Sequence, residues 1–152
     1  MLIVFDIDGT LANLDHRLHY VREKPKNWKA FELGIADDTL IEPMREILWS
    51  LAEAGNTIIF ASGRNEHSHE ATIQWMEDHK IWGYGGTADK MYMRASGDYR
   101  NDAIVKKEIL EQIIKDYKKK PDMVFDDRPR VVNMWRENGI FVLDVNQSGE
   151  DF

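Results

Sequence analysis

Apolar residues follow two rhythms along this chain. Short continuous runs end in polar residues: Leu2–Phe5 stops at Asp6, Thr57–Ala61 at Ser62-Gly63-Arg64, and Met123–Phe125, entered through Pro121, at Asp126-Asp127. Such runs read as buried strands. Lys90–Met93 gives a weaker strand signal and Ile140–Val145 a fifth strand. Between the runs the spacing turns helical. Met44, Ile47, Leu48 and Leu51 share a face, with Gly55 placed to end the helix. Ile73 and Met76 mark a helix running from Glu66 to about His79. Ile104, Val105, Ile109, Ile113 and Ile114 predict an amphipathic helix from Asp102 to Tyr117, and Val131–Asn138 makes another, stopped by Gly139.

Strands that alternate with helices, each strand continuously apolar, predict an α/β fold: a parallel sheet with helices on both faces. Ligands of such sheets bind beyond the C-terminal ends of the strands. Asp6, Ser62 and Asp126 all stand at such ends, so topology alone would bring them to one rim. The segment 13–40 breaks the alternation. It carries Trp28 and Phe31 among many charges. It reads as a partly helical insertion over the rim; those two rings could stack on a base, but read rather as its small apolar core. Trp49, Trp75 and Trp135 lie on predicted helices and read as packing residues. No repeat or linker divides the chain, so 1–152 is read as one domain.

Composition narrows the chemistry. The chain has 152 residues and no cysteine, which excludes disulfides, thiolate nucleophiles and cysteine-based metal centres. No apolar run approaches the ~18 residues of a membrane span. The start, MLIVFDIDGT, lacks the basic residues and long apolar stretch of a signal peptide, so the cytoplasm is the expected location. Lys and Arg total 20 against 27 Asp and Glu, a net charge of −7. No global basic field draws the chain to nucleic acid, and any phosphate chemistry must rest on a local cluster of cations.

Asp6-Ile7-Asp8-Gly9-Thr10 is the most informative stretch. Two acids one residue apart would share a face of a straight strand and repel. A divalent cation relieves that repulsion, and hard oxygen ligands suit Mg²⁺. The same residues also suit a solvated strand-end turn, because Asp-Gly favours turns. Asp102 and Lys106, four apart, lie on one helix face. Either the carboxylate orients the ammonium toward a site, or the two form an ordinary surface pair. His16 with His19, and His67 with His69, lack the partners of a metal site and read as surface or rim groups.

The run Asp6-Ile-Asp8-Gly-Thr10, Ser62 at the end of the second strand, Lys106 early on a later helix and Asp126-Asp127 after the fourth strand resemble, in order, the four motifs of the haloacid dehalogenase (HAD) phosphotransferases. A finer likeness rests on Arg17, Ser62-Gly63-Arg64, Arg94-Ala-Ser-Gly-Asp98-Tyr-Arg100-Asn-Asp102, Asp126-Asp127-Arg128, Val131-Val132-Asn133-Met134-Trp135-Arg136 and the ending Ser148–Phe152. These resemble the 3′-phosphatase domain of bacteriophage-type polynucleotide kinase/phosphatases. The Gly-Lys-Ser/Thr phosphate loop of the kinase half does not occur here. A free-standing phosphatase, or one part of a longer system with a separate kinase or ligase partner, is therefore expected.

The resemblance implies a HAD-like sheet of about five strands in the order 3-2-1-4-5, with a small cap-like insertion after the first strand. It makes Asp6 the nucleophile and Asp8 the general acid and base. Asp8 would then need a raised pKa, so that it is protonated when substrate binds. It gives Ser62 and Lys106 the phosphoryl oxygens, and Mg²⁺ to Asp6, Asp8 through its carbonyl, Asp126 and Asp127. Arg17, Arg64, Arg94, Arg100 and Asp102 fall at the substrate mouth. Three functions compete. The first is removal of 3′-phosphates from DNA or RNA ends. The second is hydrolysis of free 5′- or 3′-mononucleotides, toward which the −7 charge leans. The third is a catalytically silent binding module, disfavoured because every catalytic position holds the right residue type.

Overall fold

The computed structural model describes residues 1–85 and 87–150, the side chains of 87–89 excepted. Asp151 and Phe152, which close the terminal resemblance, lie outside the described residues. At the centre of the sheet is β1 (Leu2–Phe5), flanked in parallel by β4 (Thr57–Asn65) and β6 (Met123–Asp126). Beyond them lie β5 (Thr87–Arg94) and β7 (Val142–Asp144), both parallel as well. Counted within the sheet, the strand order is 3-2-1-4-5, as expected.

A central parallel strand is covered on both faces, which is why all four residues of β1 are apolar and buried. Its side chains alternate between two cores. Ile3 and Phe5 face α3 (Glu42–Glu53) and α4 (His69–Asp78) through Leu48, Trp75 and Met76. Leu2 and Val4 face α5 (Asp102–Tyr117) and α6 (Pro129–Glu137) through Ile109, Ile113, Val131 and Trp135. Trp75 and Trp135 are thus core residues, as expected. The α5 bounds match the sequence expectation, and the Asn101 side chain caps the helix by accepting from the Ala103 N–H at 2.8 Å. The helix expected to start at Glu66 begins instead with a 3₁₀ turn over Glu66–Ser68.

The insertion is closed at its neck by a two-residue antiparallel pair, β2 (Ala12–Asn13) with β3 (Thr39–Leu40). Between them lie a 3₁₀ turn at Asp15–Arg17, α1 (His19–Arg22) and α2 (Trp28–Leu33). The expected aromatic core does not form. Trp28 is 56% exposed and meets Phe31 edge to face at 5.9 Å. Phe31 packs instead under the Arg17 guanidinium, 4.2 Å from its ring centre. So short a segment has too few apolar residues to enclose an indole. No helix among the described residues is long and apolar enough to cross a membrane.

Candidate active site

The rim above β1, β4 and β6 gathers the residues of the Asp6 run, Ser62 and the two terminal acids. Asp6, Asp126 and Asp127 offer oxygen atoms that all lie within 4.8 Å of one another. Lys106 reaches in from α5 and donates to Asp6 at 2.6 Å and to Asp126 at 2.7 Å. Asp126 is held further by the Trp135 indole N–H at 3.2 Å and by the backbone N–H of Asp127 at 2.9 Å. Gly9 makes the cluster sterically feasible. Its φ is +78°, and a Cβ there would fall on the Asp127 carboxylate. Ser62, almost fully buried at the end of β4's apolar run, accepts from the Arg64 N–H at 3.1 Å.

Asp8 belongs to a second ionic cluster. Arg64 grips its carboxylate through Nε at 3.0 and 3.1 Å and through a terminal nitrogen at 2.5 Å. The same Arg64 also reaches Asp38 at 3.1 Å and Thr72 at 3.0 Å. Arg17, only 1% exposed, binds Asp38 with two nitrogens at 2.7 and 2.8 Å, the Phe31 carbonyl at 3.1 Å and Asp8 at 3.4 Å. Arg17 was expected at the mouth; the fold buries it behind Asp8 because Asp38, on the returning limb of the insertion, claims its fork.

A third group lies further out. Arg94 donates to the Gly63 carbonyl at 2.9 Å, the Arg100 carbonyl at 2.6 Å and Asp102 at 2.5 Å. Arg128 pairs with the other Asp102 oxygen. Asp102 therefore does not orient Lys106, whose ammonium is spent on Asp6 and Asp126; it joins two rim arginines instead. Arg100 turns outward to Asp98 at 2.8 Å and Glu108 at 2.7 Å, and is half exposed.

Comparison with known proteins gives these groups a context. The model of the polynucleotide kinase PNKP phosphatase domain matches residues 1–152. The chain belongs to the PNKP phosphatase family. A putative bifunctional polynucleotide kinase/RNA ligase of Autographa californica nuclear polyhedrosis virus is 29% identical over 136 residues, 89% of this chain but 18% of that protein. A chain of the Pnkp1/Rnl/Hen1 RNA repair complex superposes with a TM-score of 0.75 at 30% identity, covering 94% of this chain and 41% of that one. A hydrolase from Streptococcus pneumoniae TIGR4 shares the fold alone, with a TM-score of 0.65 at 15% identity over 93% of this chain and 90% of its own. This PNKP-type phosphatase domain thus spans 18% of the viral relative and 41% of the RNA repair chain.

In this PNKP-type domain the electrostatics of the first two clusters differ sharply. Burial pushes the Asp6 carboxyl up; Lys106 pulls it down, but Asp126 and Asp127 push it up again, leaving it well above the usual carboxylate range. Burial and the Asp126 charge carry Asp127 up to about 7. Three carboxylates against one ammonium are an anionic oxygen cage short of positive charge. That donor set fits Mg²⁺. Asp8 behaves oppositely to expectation. Burial would raise its pKa, but the Arg64 charge and hydrogen bonds, with Arg17 and Lys106 behind them, hold it below the usual range. The sequence reading missed three supports: Asp38, which anchors both Arg17 and Arg64, Thr72 from α4, and the Trp135 indole. Asp38 carried one signal, the second of two acids before the apolar return at Leu40-Ile41. Trp135 stood in the quoted resemblance, but only the fold shows its N–H aimed at Asp126.

Proposed function

We propose that the chain is a Mg²⁺-dependent phosphomonoesterase that removes 3′-phosphates from DNA or RNA ends through an aspartyl-phosphate. The observation that carries this reading is the Asp6 carboxylate at the end of β1, sharing one buried cage with Asp126 and Asp127 and held by Lys106 at 2.6 Å. Asp6 attacks phosphorus. The new Asp6 oxygen–phosphorus bond forms as the bond to the strand's 3′-oxygen breaks, and that oxygen takes a proton from Asp8. Water then attacks the aspartyl-phosphate, gives its proton to Asp8, and releases phosphate with Asp6 restored. Asp6, the Asp8 carbonyl, Asp126 and Asp127 would hold Mg²⁺, which supplies positive charge against the repulsion between phosphate and carboxylate.

The Asp8 anion in the Arg64 grip is the form that accepts the proton from water. Protonating the leaving oxygen needs the other form, so phosphate must draw Arg64 away from Asp8 on binding. Ser62 and Lys106 take the transferring oxygens. The viral relative is a putative kinase/ligase and the structural relative sits in an RNA repair complex, which supports work beside a separate kinase or ligase. The test is a metal-supplemented comparison of a 3′-phosphorylated oligonucleotide with 3′-mononucleotides, 5′-mononucleotides and an aryl phosphate. The highest kcat/KM is expected on the oligonucleotide; a preference for either mononucleotide would replace this reading with a nucleotidase.

A further inference from the structure

The insertion carries a feature that the phosphoryl chemistry leaves unused. Arg22, Lys24, Lys26 and Lys29 face a single acid, Glu23, across 22–29, a local charge of +3 on a chain whose net charge is −7. All four cations are exposed. Among the described residues, none of them pairs with a carboxylate. Trp28 stands in their midst, 56% exposed, with the Lys26 ammonium 5.6 Å from its ring centre.

This strip is joined to the reaction centre by a continuous ladder of contacts. Asp8 meets Arg17 at 3.4 Å, Arg17 lies over Phe31 at 4.2 Å, and Phe31 meets Trp28 at 5.9 Å. Trp28 is therefore three contacts out from Asp8, on the insertion between β2 and β3. An exposed indole amid unpaired cations has the chemistry of a single-strand site: the ring stacks on a base and the cations follow the phosphates. The exposure itself follows from the few apolar residues of the segment; the four unpaired cations around the ring are what give this surface the chemistry of strand binding.

We propose that the insertion surface formed by Trp28, Arg22, Lys24, Lys26 and Lys29 binds the single-stranded polynucleotide leading to the 3′-phosphate, with one base stacked on Trp28. It rests on the reading of the rim as a 3′-end phosphatase and names how the rest of the strand is held. It also answers the charge objection. An acidic protein can hold a strand when four unpaired cations stand together on one segment that the strand crosses.

The test uses the full chain in two arms. In the first, Trp28→Ala and a Lys24/Lys26/Lys29→Gln triple variant are assayed on a 3′-phosphorylated single strand of ten nucleotides and on an aryl phosphate. Through lost phosphate contacts the triple variant lowers the ratio of kcat/KM, strand over aryl phosphate, and Trp28→Ala lowers it by about ten-fold, the usual size of one lost stacking contact. Trp28→Phe, which keeps a ring, recovers most of it. In the second arm, fluorescence anisotropy follows a labelled ten-nucleotide strand ending in a 3′-hydroxyl, which needs no turnover. Wild-type binding weakens with salt, and the triple variant flattens the log–log salt slope by about 2, three cations each releasing ~0.7 counterion. Unchanged ratios together with an unchanged slope overturn the proposal and leave the phosphatase reading intact. Strand binding lost in Trp28→Ala, in a protein that prefers mononucleotides as substrates, overturns the phosphatase reading and keeps the strip.

Discussion

Two ionic clusters share the rim and differ in one respect, their balance of charge. Around Asp6 three carboxylates face one ammonium; around Asp8 two carboxylates face two guanidiniums. With His16 also 2.7 Å from Asp38, the second cluster has no excess of negative charge. It ties the insertion to β4 and needs nothing from outside. The first keeps an excess of negative charge away from water, and its strain shows in Asp6 and Asp127, both pushed up by burial and by their neighbours. The unbalanced cluster is therefore the place for an external cation and a reacting phosphate. The balanced cluster is the frame that sets where Asp8 stands.

The largest effect should come from the unbalanced side. Asp6→Asn removes the nucleophile, and turnover should fall on the order of 10⁴–10⁶-fold. Metal-free thermal stability should not fall with it, because one of three crowded anions is gone while Lys106 keeps Asp126. An active variant, or one that melts well below wild type, would break the comparison at its first step. On the balanced side the outcome inverts. Asp38→Ala leaves two buried guanidiniums with Asp8 alone, and removing one partner of such a cluster costs about 3–5 kcal/mol. Urea unfolding should show that loss, along with lower activity as Asp8 is displaced. A change below ~1 kcal/mol would mean that the four residues do not act as a unit.

How much of this was legible in the sequence follows the same division. The three carboxylates of the unbalanced cluster were legible because each stands at or just past a strand end, and strand ends in a parallel sheet converge; Lys106, on α5, was named through the resemblance alone. The sheet order and α5 were legible for the related reason that their apolar runs are long or regular. The balanced cluster was read only in half. Arg17 and Arg64 were named, but their partner Asp38 comes from an irregular segment whose path no periodicity fixes. Missing Asp38 made Arg17 look like an open mouth residue; the raised pKa expected of Asp8 followed from its role as general acid, and the Arg64 grip reverses it. Trp28 was misplaced for a similar reason: a ring in a short charged segment has no periodic face to betray whether it is covered.

A smaller effect follows from pH. Asp127 is pushed up to about 7 in the folded metal-free protein against 3.8 as its ordinary value. Between those values the folded state binds more protons than the unfolded state, so metal-free stability falls as pH rises from about 4 to 7. Mg²⁺ should oppose the trend, since it binds the deprotonated cage and its stabilisation grows over the same window. Melting curves at several pH values, with EDTA or Mg²⁺, would show two lines diverging toward neutral pH. Asp127→Asn should flatten the EDTA line. Parallel lines with and without Mg²⁺ would remove the charge-deficit argument for the metal.

The smallest expected difference separates two arginines, one at the end of β5 and one in the loop that follows it. At Asp102 the balance differs from that of the Asp6 cage: one carboxylate takes Arg94 and Arg128 on its two oxygens, and Arg94 also lies 4.0 Å from Asp98. Arg94 is mostly buried and ties Gly63 to the loop before α5, whereas Arg100 is half exposed and already divided between Asp98 and Glu108. A charge-assisted contact to a strand phosphate is worth roughly 1.5–3 kcal/mol, so Arg94→Ala should lower kcat/KM on a 3′-phosphorylated oligonucleotide by about ten- to a hundred-fold. It should lower the rate on an aryl phosphate less, because that substrate has no second phosphate to lose. Arg100→Ala should change either rate about two-fold at most, since exposed pairs contribute little. Equal losses on both substrates for Arg94→Ala would put its guanidinium on the reacting phosphate itself. A drop in melting temperature matching the drop in rate would make it a loop anchor only. A loss at Arg100 as large as at Arg94 would show that strand contact, and not the charge balance at Asp102, decides which rim arginines matter.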